Sequence, residues 1–210
     1  MTEQYAFFFN AAACSGCKAC QMACKDKHDL AIGILWRRVY EIAGGSWKQK
    51  EGVWIPEVAV FNLSIACNHC RKPLCLEACP TRAIFKRKDG IVLFDEGKCS
   101  GCRYCEWACP YSAPQYDSLK GVMTKCHFCY DRIDRDQPPV CVTACPLRAL
   151  DFGELKTLQK KYGTNDTVYP LADPAPAEPA LIIQKHHNTD LARRVKAVLS
   201  NREEVNHADK

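Results

Sequence analysis

Sixteen cysteines lie in this chain of 210 residues, and they form four short runs of four. Closely spaced thiolates are ligands for soft metals and for iron–sulfur clusters. Because each cubane 4Fe–4S cluster takes four cysteine thiolates, four runs supply the ligands of four clusters. The pattern therefore predicts electron-transfer chemistry. The runs are Cys14, Cys17, Cys20 and Cys24; Cys67, Cys70, Cys75 and Cys79; Cys99, Cys102, Cys105 and Cys109; and Cys126, Cys129, Cys141 and Cys145.

The spacing within the first and third runs favours cubane clusters in particular. Both have the pattern Cys-x2-Cys-x2-Cys-x3-Cys, which is the spacing of bacterial ferredoxins. In two-cluster ferredoxins the fourth cysteine ligates the other cluster, so we expect the runs to work in pairs. Cys79, Cys109 and Cys145 are each followed by proline, which ends the ligand segment, whereas Cys24 is followed by lysine.

Three other uses of cysteine fit the pattern less well. Structural zinc sites join two Cys-x2-Cys pairs across a loop and do not require a third cysteine three residues on. Disulfide-rich domains are mostly small and secreted, and residues 1–10 lack the basic start and long apolar core of a cleaved signal. The Cys-x3-Cys-x2-Cys triplet of radical enzymes that use S-adenosylmethionine is absent from the sequence. We therefore expect iron–sulfur clusters.

The composition limits the possible partners. Hydrophobic residues make up 47% of the chain, but the cysteines are counted among them, so bound clusters are expected to act as folding nuclei. The net charge of +5, without a basic stripe interleaved with aromatics, does not indicate nucleic-acid binding. No stretch approaches the roughly 18 apolar residues that a membrane-spanning helix requires. We expect no nucleic-acid partner and no direct membrane span, so another subunit would hold the chain at a membrane.

Internal repeats indicate how the cysteine runs are positioned. CSGCKACQMAC at 14–24 aligns with CSGCRYCEWAC at 99–109, and CPTRAI at 79–84 aligns with CPLRAL at 145–150. The repeats predict an α+β protein with a duplicated bacterial-type 2×(4Fe–4S) ferredoxin fold. Short strands are expected at 5–9, 84–86, 91–94 and 150–152, with a turn at 88–90.

A segment without cysteines separates the first two runs. Its β-branched and aromatic residues at 36–42 and 54–65 predict a β-hairpin insert, with the turn at 43–46. Trp36, Trp47 and Trp54 in this insert either pack over the clusters or take part in ordinary hairpin packing.

The C-terminal part, from residue 154, is predicted to be an extended tail. A short helix is expected at 154–162, and four prolines at 169–179 favour extended chain. Asp190 is a candidate N-cap for a helix whose apolar residues run from Leu191 to Leu199. An extended proline-rich arm reaches outward more easily than it packs, so we predict that the tail binds a partner.

The chain resembles the four-cluster electron-transfer subunit of dimethyl sulfoxide reductase-type molybdoenzymes. The resemblance covers residues 5 to 162, and the tail beyond it is not matched. The stretches that carry it are RRVYEIAGGSW at 37–47, SIACNHC at 64–70, GCRYC at 101–105, ACPYSAPQY at 108–116, MTKC at 123–126, CYDR at 129–132 and CPLRALDFG at 145–153.

The resemblance implies a nested pairing of the first run with the fourth and of the second with the third. Residues 1–24 and 126–153 then form an outer ferredoxin-like cluster pair and residues 67–125 an inner pair, with 25–66 as the insert and 154–210 as the tail. Spacing alone equally allows adjacent runs to pair. The implied ligand sets are Cys14, Cys17, Cys20 and Cys145; Cys24, Cys126, Cys129 and Cys141; Cys67, Cys70, Cys75 and Cys109; and Cys79, Cys99, Cys102 and Cys105.

The resemblance also implies the function. Nitrate reductase subunits carry tryptophan at the second cysteine of the third run and have a 3Fe–4S centre there; because Cys102 is present, four 4Fe–4S clusters are expected. The subunit is non-catalytic and passes electrons from a quinol-oxidising membrane anchor subunit to a molybdopterin catalytic subunit that reduces an S-oxide or N-oxide. Co-export with a catalytic partner that bears a twin-arginine signal implies the periplasmic face of the cytoplasmic membrane, with the cytoplasmic face as the alternative.

Two other functions stay open on the sequence. The chain is alternatively an electron-transfer subunit of a formate dehydrogenase-, thiosulfate- or tetrathionate reductase-like complex, although residues 180–210 are too polar for the C-terminal membrane helix of formate-type subunits. A sensor with regulatory clusters is the second, but no separate ligand or nucleic-acid module is visible. His69 and His127, which adjoin cysteines, are candidate hydrogen-bond donors to a cluster.

Overall fold

The computed structural model describes residues 3–205, which form an α+β fold of ten strands and eight α-helices. Within these residues, no helix combines the length and the apolar character needed to cross a membrane. The strands are β1 (Tyr5–Asn10), β2 (Arg38–Lys50), β3 (Val53–Ile65), β4 (Ile84–Lys86), β5 (Val92–Phe94), β6 (Gln115–Asp117), β7 (Val122–Thr124), β8 (Leu150–Glu154), β9 (Leu181–Gln184) and β10 (Val198–Leu199). The helices are α1 (Ala19–Lys27), α2 (Leu74–Glu77), α3 (Tyr104–Ala108), α4 (Tyr130–Ile133), α5 (Val140–Thr143), α6 (Leu155–Tyr162), α7 (Thr189–Arg194) and α8 (Arg202–Val205).

Strand β1 is the centre of a three-stranded sheet, antiparallel to β8 and parallel to β9. Successive side chains of a strand point to opposite faces, and both faces of β1 are buried. Phe7 and Phe9 pack into the main core, which includes cysteines of the first and fourth runs. Phe8 on the other face packs with Leu155 and Leu158 of α6. The sheet therefore joins the cysteine-containing core to the C-terminal part of the chain.

Strands β2 and β3 form a long antiparallel hairpin whose turn is Glu51-Gly52. Both turn residues have positive φ, 51° and 82°, as a two-residue type I′ turn requires. The prediction of a turn at 43–46 is wrong, because these residues lie inside β2 and pair with β3. Gly44 has no room for a side chain because a segment distant in sequence packs against it. A Cβ at this position would lie 2.5 Å from Cα of Ala197.

Two small hairpins lie between the second and fourth runs. Strand β4 pairs with β5 and β6 pairs with β7, each over three residues in antiparallel register. The strands predicted at 84–86 and 91–94 are confirmed, apart from the start of β5 at Val92. The predicted strands at 5–9 and 150–152 are also confirmed, as β1 and β8.

The C-terminal part of the chain is folded onto the body, so the prediction of an extended tail is wrong for residues 154–205. Strand β9 completes the central sheet and α7 packs on β3. Even the proline-rich stretch is held, because Arg71 N–H donates to Glu178 O at 2.7 Å and Ala180 N–H donates to Asn68 O at 3.0 Å. Residues 206–210 lie outside the described part of the chain. Partner binding by the C-terminal part, residues 154–210, stays a prediction.

The C-terminal helices differ in extent from the predictions. Helix α6 covers the predicted helix at 154–162 apart from its first residue. The prediction of Asp190 as the N-cap is wrong, because α7 begins at Thr189 with Asn188 as its N-cap. The helix also ends at Arg194 instead of reaching Leu199, and Lys196 has a positive φ of 52°. Val198 and Leu199 instead pair with β2 as β10, where strand pairing satisfies their backbone groups.

We predict that the C-terminal part contributes to stability rather than serving only as an arm. Ile183 of β9 is 2% exposed, and Ile183→Ala is expected to lower the free energy of unfolding by about 2–4 kcal/mol, because it leaves a cavity in the core. Anaerobic thermal unfolding of the cluster-loaded protein measures the change. Ile32, which is 100% exposed, provides the matched control, Ile32→Ala. Equal unfolding midpoints for the two variants would contradict the prediction.

Candidate metal centres

The first and third cysteine runs form the same left-handed loop followed by a helix. Gly16 and Gly101 have φ of 74° and 69°, and Lys18 and Arg103 have φ of 61° and 65°. Helices α1 and α3 each begin at the residue after the second left-handed position. Positive φ is readily adopted by glycine and strained for other residues, so the Cys-Ser-Gly-Cys sequence is suited to this tight loop.

The cysteines of the first and fourth runs come together in two groups. One group lines a single cavity with apolar residues of β1, β2 and β8; its members are Cys14, Cys17, Cys20 and Cys145. The other group is Cys24, Cys126, Cys129 and Cys141, whose thiols are electrostatic neighbours.

The second and third runs also meet, since α2, which carries Cys75, packs against α3, which carries Cys105. Their thiols are neighbours within two sets, which meet where Cys75 and Cys105 neighbour each other. One set is Cys67, Cys70, Cys75 and Cys109, and the other is Cys79, Cys99, Cys102 and Cys105. Cys67 also neighbours Cys126, so the inner and outer pairs adjoin each other.

The three Cys-Pro segments share one hydrogen bond that the sequence analysis missed. In each, the backbone N–H of the alanine four residues after the cysteine donates to the cysteine sulfur. The residue before that alanine has positive φ in all three cases, which turns the N–H back towards the sulfur. The repeated Cys-Pro-x-x-Ala sequence is the pattern from which this hydrogen bond could have been predicted. The bonds are Ala83 N to Cys79 Sγ at 3.3 Å, Ala113 N to Cys109 Sγ at 3.4 Å and Ala149 N to Cys145 Sγ at 3.3 Å.

Most of the thiols are in surroundings that disfavour the free thiolate. Burial, reinforced by the thiol of Cys141, raises the pKa of Cys24 to about 12. Burial and the thiol of Cys67 likewise raise the pKa of Cys75 to about 12. Cys79 is an exception: burial acts to raise its pKa, but a threonine hydroxyl and backbone N–H groups outweigh it and lower the value. Without metal, Cys24 and Cys75 are protonated at neutral pH, so ligand binding must release protons.

A group of aromatic rings covers Cys129. His28 Nε2 lies 3.5 Å from Cys129 Sγ, and the His28 ring lies against the rings of Trp36 and His127. Burial lowers the pKa of both histidines to about 4, so each is neutral at pH 7 and carries one N–H. In the Nε2–H tautomer His28 donates to the Cys129 sulfur. His28 is not predicted from the sequence, because no spacing pattern connects it to a cysteine 101 residues away.

Two histidines and three tryptophans are also candidates, on the sequence, for positions near the clusters, and the structure places only some of them near the cysteines. His69 Nδ1 accepts from Val92 N–H at 3.0 Å, and its Nε2 has no hydrogen-bond partner within residues 3–205. The role of His69 and His127 as donors to a cluster stays a prediction. Trp36 packs against the buried cluster that contains Cys67 and Cys126. Trp47 and Trp54 are about 60% exposed on the outer half of the hairpin, so they do not cover the cysteines.

The donor sets fit iron–sulfur clusters. Four thiols around one apolar-lined cavity, with backbone N–H groups aimed at the sulfurs, are the ligands and hydrogen bonds that a 4Fe–4S cluster requires. Within residues 3–205, no three side chains of His, Cys, Asp or Glu converge closely enough to hold a single metal ion.

We predict that the third loop tolerates no side chain at Gly101. A Cβ there would lie 2.5 Å from the carbonyl oxygen of Gly121, so Gly101→Ala is expected to distort the loop and to remove about four iron atoms per chain. Iron content after anaerobic purification measures the loss. Gly52→Ala is the control, since Gly52 has a similar φ of 82° in open space. The prediction would be wrong if both variants retained the same iron content.

Comparisons with known proteins agree with this chemistry. Residues 58–155 match the family model of a 4Fe-4S dicluster domain. A chain of the anaerobic dimethyl sulfoxide reductase of Escherichia coli (strain K12) is 48% identical, over 98% of this protein and 100% of the relative. The corresponding chain from Haemophilus influenzae is 46% identical over 97% and 100%, and a sulfite dehydrogenase subunit from Allochromatium vinosum is 37% identical over 72% and 69%. The protein therefore belongs to the family of iron–sulfur electron-transfer subunits of dimethyl sulfoxide reductase-type molybdoenzymes.

Proposed function

We propose that this protein is the four-cluster electron-transfer subunit of an anaerobic S-oxide or N-oxide reductase. It receives electrons from a quinol-oxidising membrane anchor subunit and delivers them to a molybdopterin catalytic subunit. The observation that carries the proposal is that the four cysteines of each proposed ligand set are neighbours, as the thiolates of one cubane must be. When bound, the clusters supply one-electron redox chemistry, and the chain itself makes or breaks no substrate bond.

The registers of two strand pairs support the nested ligand sets. Phe9 pairs with Leu150, and Cys14 and Cys145 lie five residues beyond this pair on either strand. Ile84 pairs with Phe94 in β4 and β5, and Cys79 and Cys99 lie at the same five-residue distance from that pair. The same local geometry thus brings a Cys-Pro cysteine to the first cysteine of a ferredoxin-type run in both halves. This repetition also supports a duplicated ferredoxin fold.

The protein residues hold the clusters and exclude water from them. Fourteen of the cysteines are buried or partly buried, and only Cys17 and Cys102 are exposed among the sixteen. Each is the second cysteine of a ferredoxin-type run, and the two belong to different proposed cluster pairs. We assign these two loops as the places where electrons enter and leave, with the Cys67–Cys126 contact as the connection between the pairs.

The partner complex determines the substrate and the location. Full-length similarity to dimethyl sulfoxide reductase subunits favours a reductase of that type over a dehydrogenase complex, for which the reported relative is similar over part of its length. We place the chain on the cytoplasmic membrane through its partners, on the periplasmic face after export together with the catalytic subunit. The S-oxide or N-oxide is selected in the pocket of that subunit.

Metal analysis of the native complex tests the proposal. The tagged chain, purified anaerobically with its partners, is expected to contain about 16 iron atoms per chain, and molybdenum is expected in the complex. Iron at this level without molybdenum would reject the proposed catalytic partner but keep the electron-transfer role. Zinc in place of iron would reject both.

The nested pairing has its own test. Cys24→Ser and Cys129→Ser are expected to alter the same electron paramagnetic resonance signal, because the two sulfurs are proposed ligands of one cluster. Cys70→Ser is the control and is expected to alter a different signal. If Cys24→Ser instead altered the signal that Cys70→Ser alters, the first run would pair with the second, and the nested pairing would be wrong.

A further inference from the structure

Two consecutive arginines lie inside the protein among the cysteines. Arg37 and Arg38, at the start of β2, are each 2% exposed. Within residues 3–205, neither of them forms an ion pair with aspartate or glutamate. A buried charge without a counter-charge is strongly destabilising, so the two guanidinium groups require an anionic partner of another kind.

Arg37 has unused hydrogen-bond donors. Its Nη1 donates to the carbonyl oxygen and the hydroxyl of Ser64, both at 3.2 Å, and its guanidinium lies 4.7 Å from the centroid of the Phe7 ring. Nε and Nη2 are buried and have no hydrogen-bond partner within residues 3–205. The Ser64 hydroxyl also lies 3.3 Å from Cys20 Sγ, which connects this arginine to the first run.

The groups that interact electrostatically with Arg37 are cysteines of the first and fourth runs. Burial acts to lower the pKa of the guanidinium, but thiolates at these cysteines act to raise it and prevail. The backbone N–H of Arg37 and its positive charge both act to lower the pKa of Cys24, although burial outweighs them. The four cysteines are Cys20, Cys24, Cys126 and Cys141, which belong to the two outer ligand sets.

Arg38 is directed to a different cysteine. Its Nη2 donates to Tyr111 O at 3.0 Å, and its guanidinium lies 5.5 Å from the centroid of the Tyr40 ring. The positive charge of Arg38 acts on Cys109, which belongs to an inner ligand set, and Arg38 Nε has no hydrogen-bond partner within residues 3–205. Arg37 lies just before β2 and Arg38 is its first residue, and the two side chains are directed to different cysteine sets.

We propose that Arg37 and Arg38 are positioning residues that set the reduction potentials of separate clusters. Arg37 acts on the two outer clusters, and Arg38 acts on the cluster of the Cys109 set. A cluster with four thiolate ligands gains one further negative charge when it accepts an electron. A nearby buried cation stabilises the reduced form more than the oxidised form, because the interaction is strong where water is excluded. Each arginine therefore raises the potential of the clusters it faces. This inference rests on the proposed ligand sets.

Redox titration of the complete complex tests the inference. Iron content and the four midpoint potentials, followed by electron paramagnetic resonance, are compared for the unmodified chain and three variants. Arg37→Gln is expected to lower two of the four potentials, and Arg38→Gln is expected to lower a different one. Arg193→Gln removes an exposed arginine of α7 as the matched control and is expected to leave all four unchanged.

The outcomes separate this inference from the proposed function. Full iron content with four unchanged potentials in Arg37→Gln would overturn the inference and leave the electron-transfer role intact. An unmodified chain without clusters would overturn the proposed function. If Arg37→Gln lost iron, Arg37→Lys would be measured instead, because lysine keeps the positive charge but lacks the planar guanidinium. Any fall in the potentials of the two outer clusters is then expected to be smaller than a variant without the charge would show. A fall in the potentials of the two inner clusters, or of all four, in Arg37→Lys would then overturn the inference.

Discussion

The antiparallel pairing of β1 with β8 is the contact on which the rest of the structure depends. It joins the start of the chain to the end of the fourth cysteine run, at a register in which Cys14 and Cys145 emerge side by side. The buried faces of β1 then organise the core in both directions, with the cysteines on one side and α6 on the other. A slip of one residue in this register would move Phe7 and Phe9 to the wrong face and separate the two cysteines.

This arrangement concentrates thiols in a core that excludes water, which is unfavourable for their ionised form. Protonated thiols pack there as small apolar groups. Thiolates without metal would lose hydration and would also repel one another, as the raised pKa values of Cys24 and Cys75 indicate. Folding and metal binding are consequently coupled, since the ligands release protons only when a cluster compensates them. The buried Arg37 and Arg38 contribute to the same charge balance. Within residues 3–205 no acidic side chain neutralises them, so their positive charge is available to offset the negative charge of ligand thiolates.

Sequence reasoning succeeded where the determinant is local. The runs, the short strands β1, β4, β5 and β8 and the helix α6 follow from spacing, burial pattern and repetition within a few residues. It failed where a distant segment decides. Gly44 indicated a turn, but its small size accommodates Ala197, and the prolines at 169–179 indicated a free arm, but Asn68 and Arg71 hold the segment through backbone hydrogen bonds. His28 was missed for the same reason, because only the fold brings it to Cys129.

The folded C-terminal part and the rings around His28 together explain why two loops are exposed rather than four. Every run contains a second cysteine at the same position in its loop, but Cys70 is partly covered and Cys129 is buried. The segment around Glu178 lies over the second run through two backbone bonds and through ion pairs with Arg71 and Lys72. The fourth run is covered by the rings around His28. A protein that must admit electrons at defined places has to shield the remaining loops, and the C-terminal part shields one of them without contributing a single ligand.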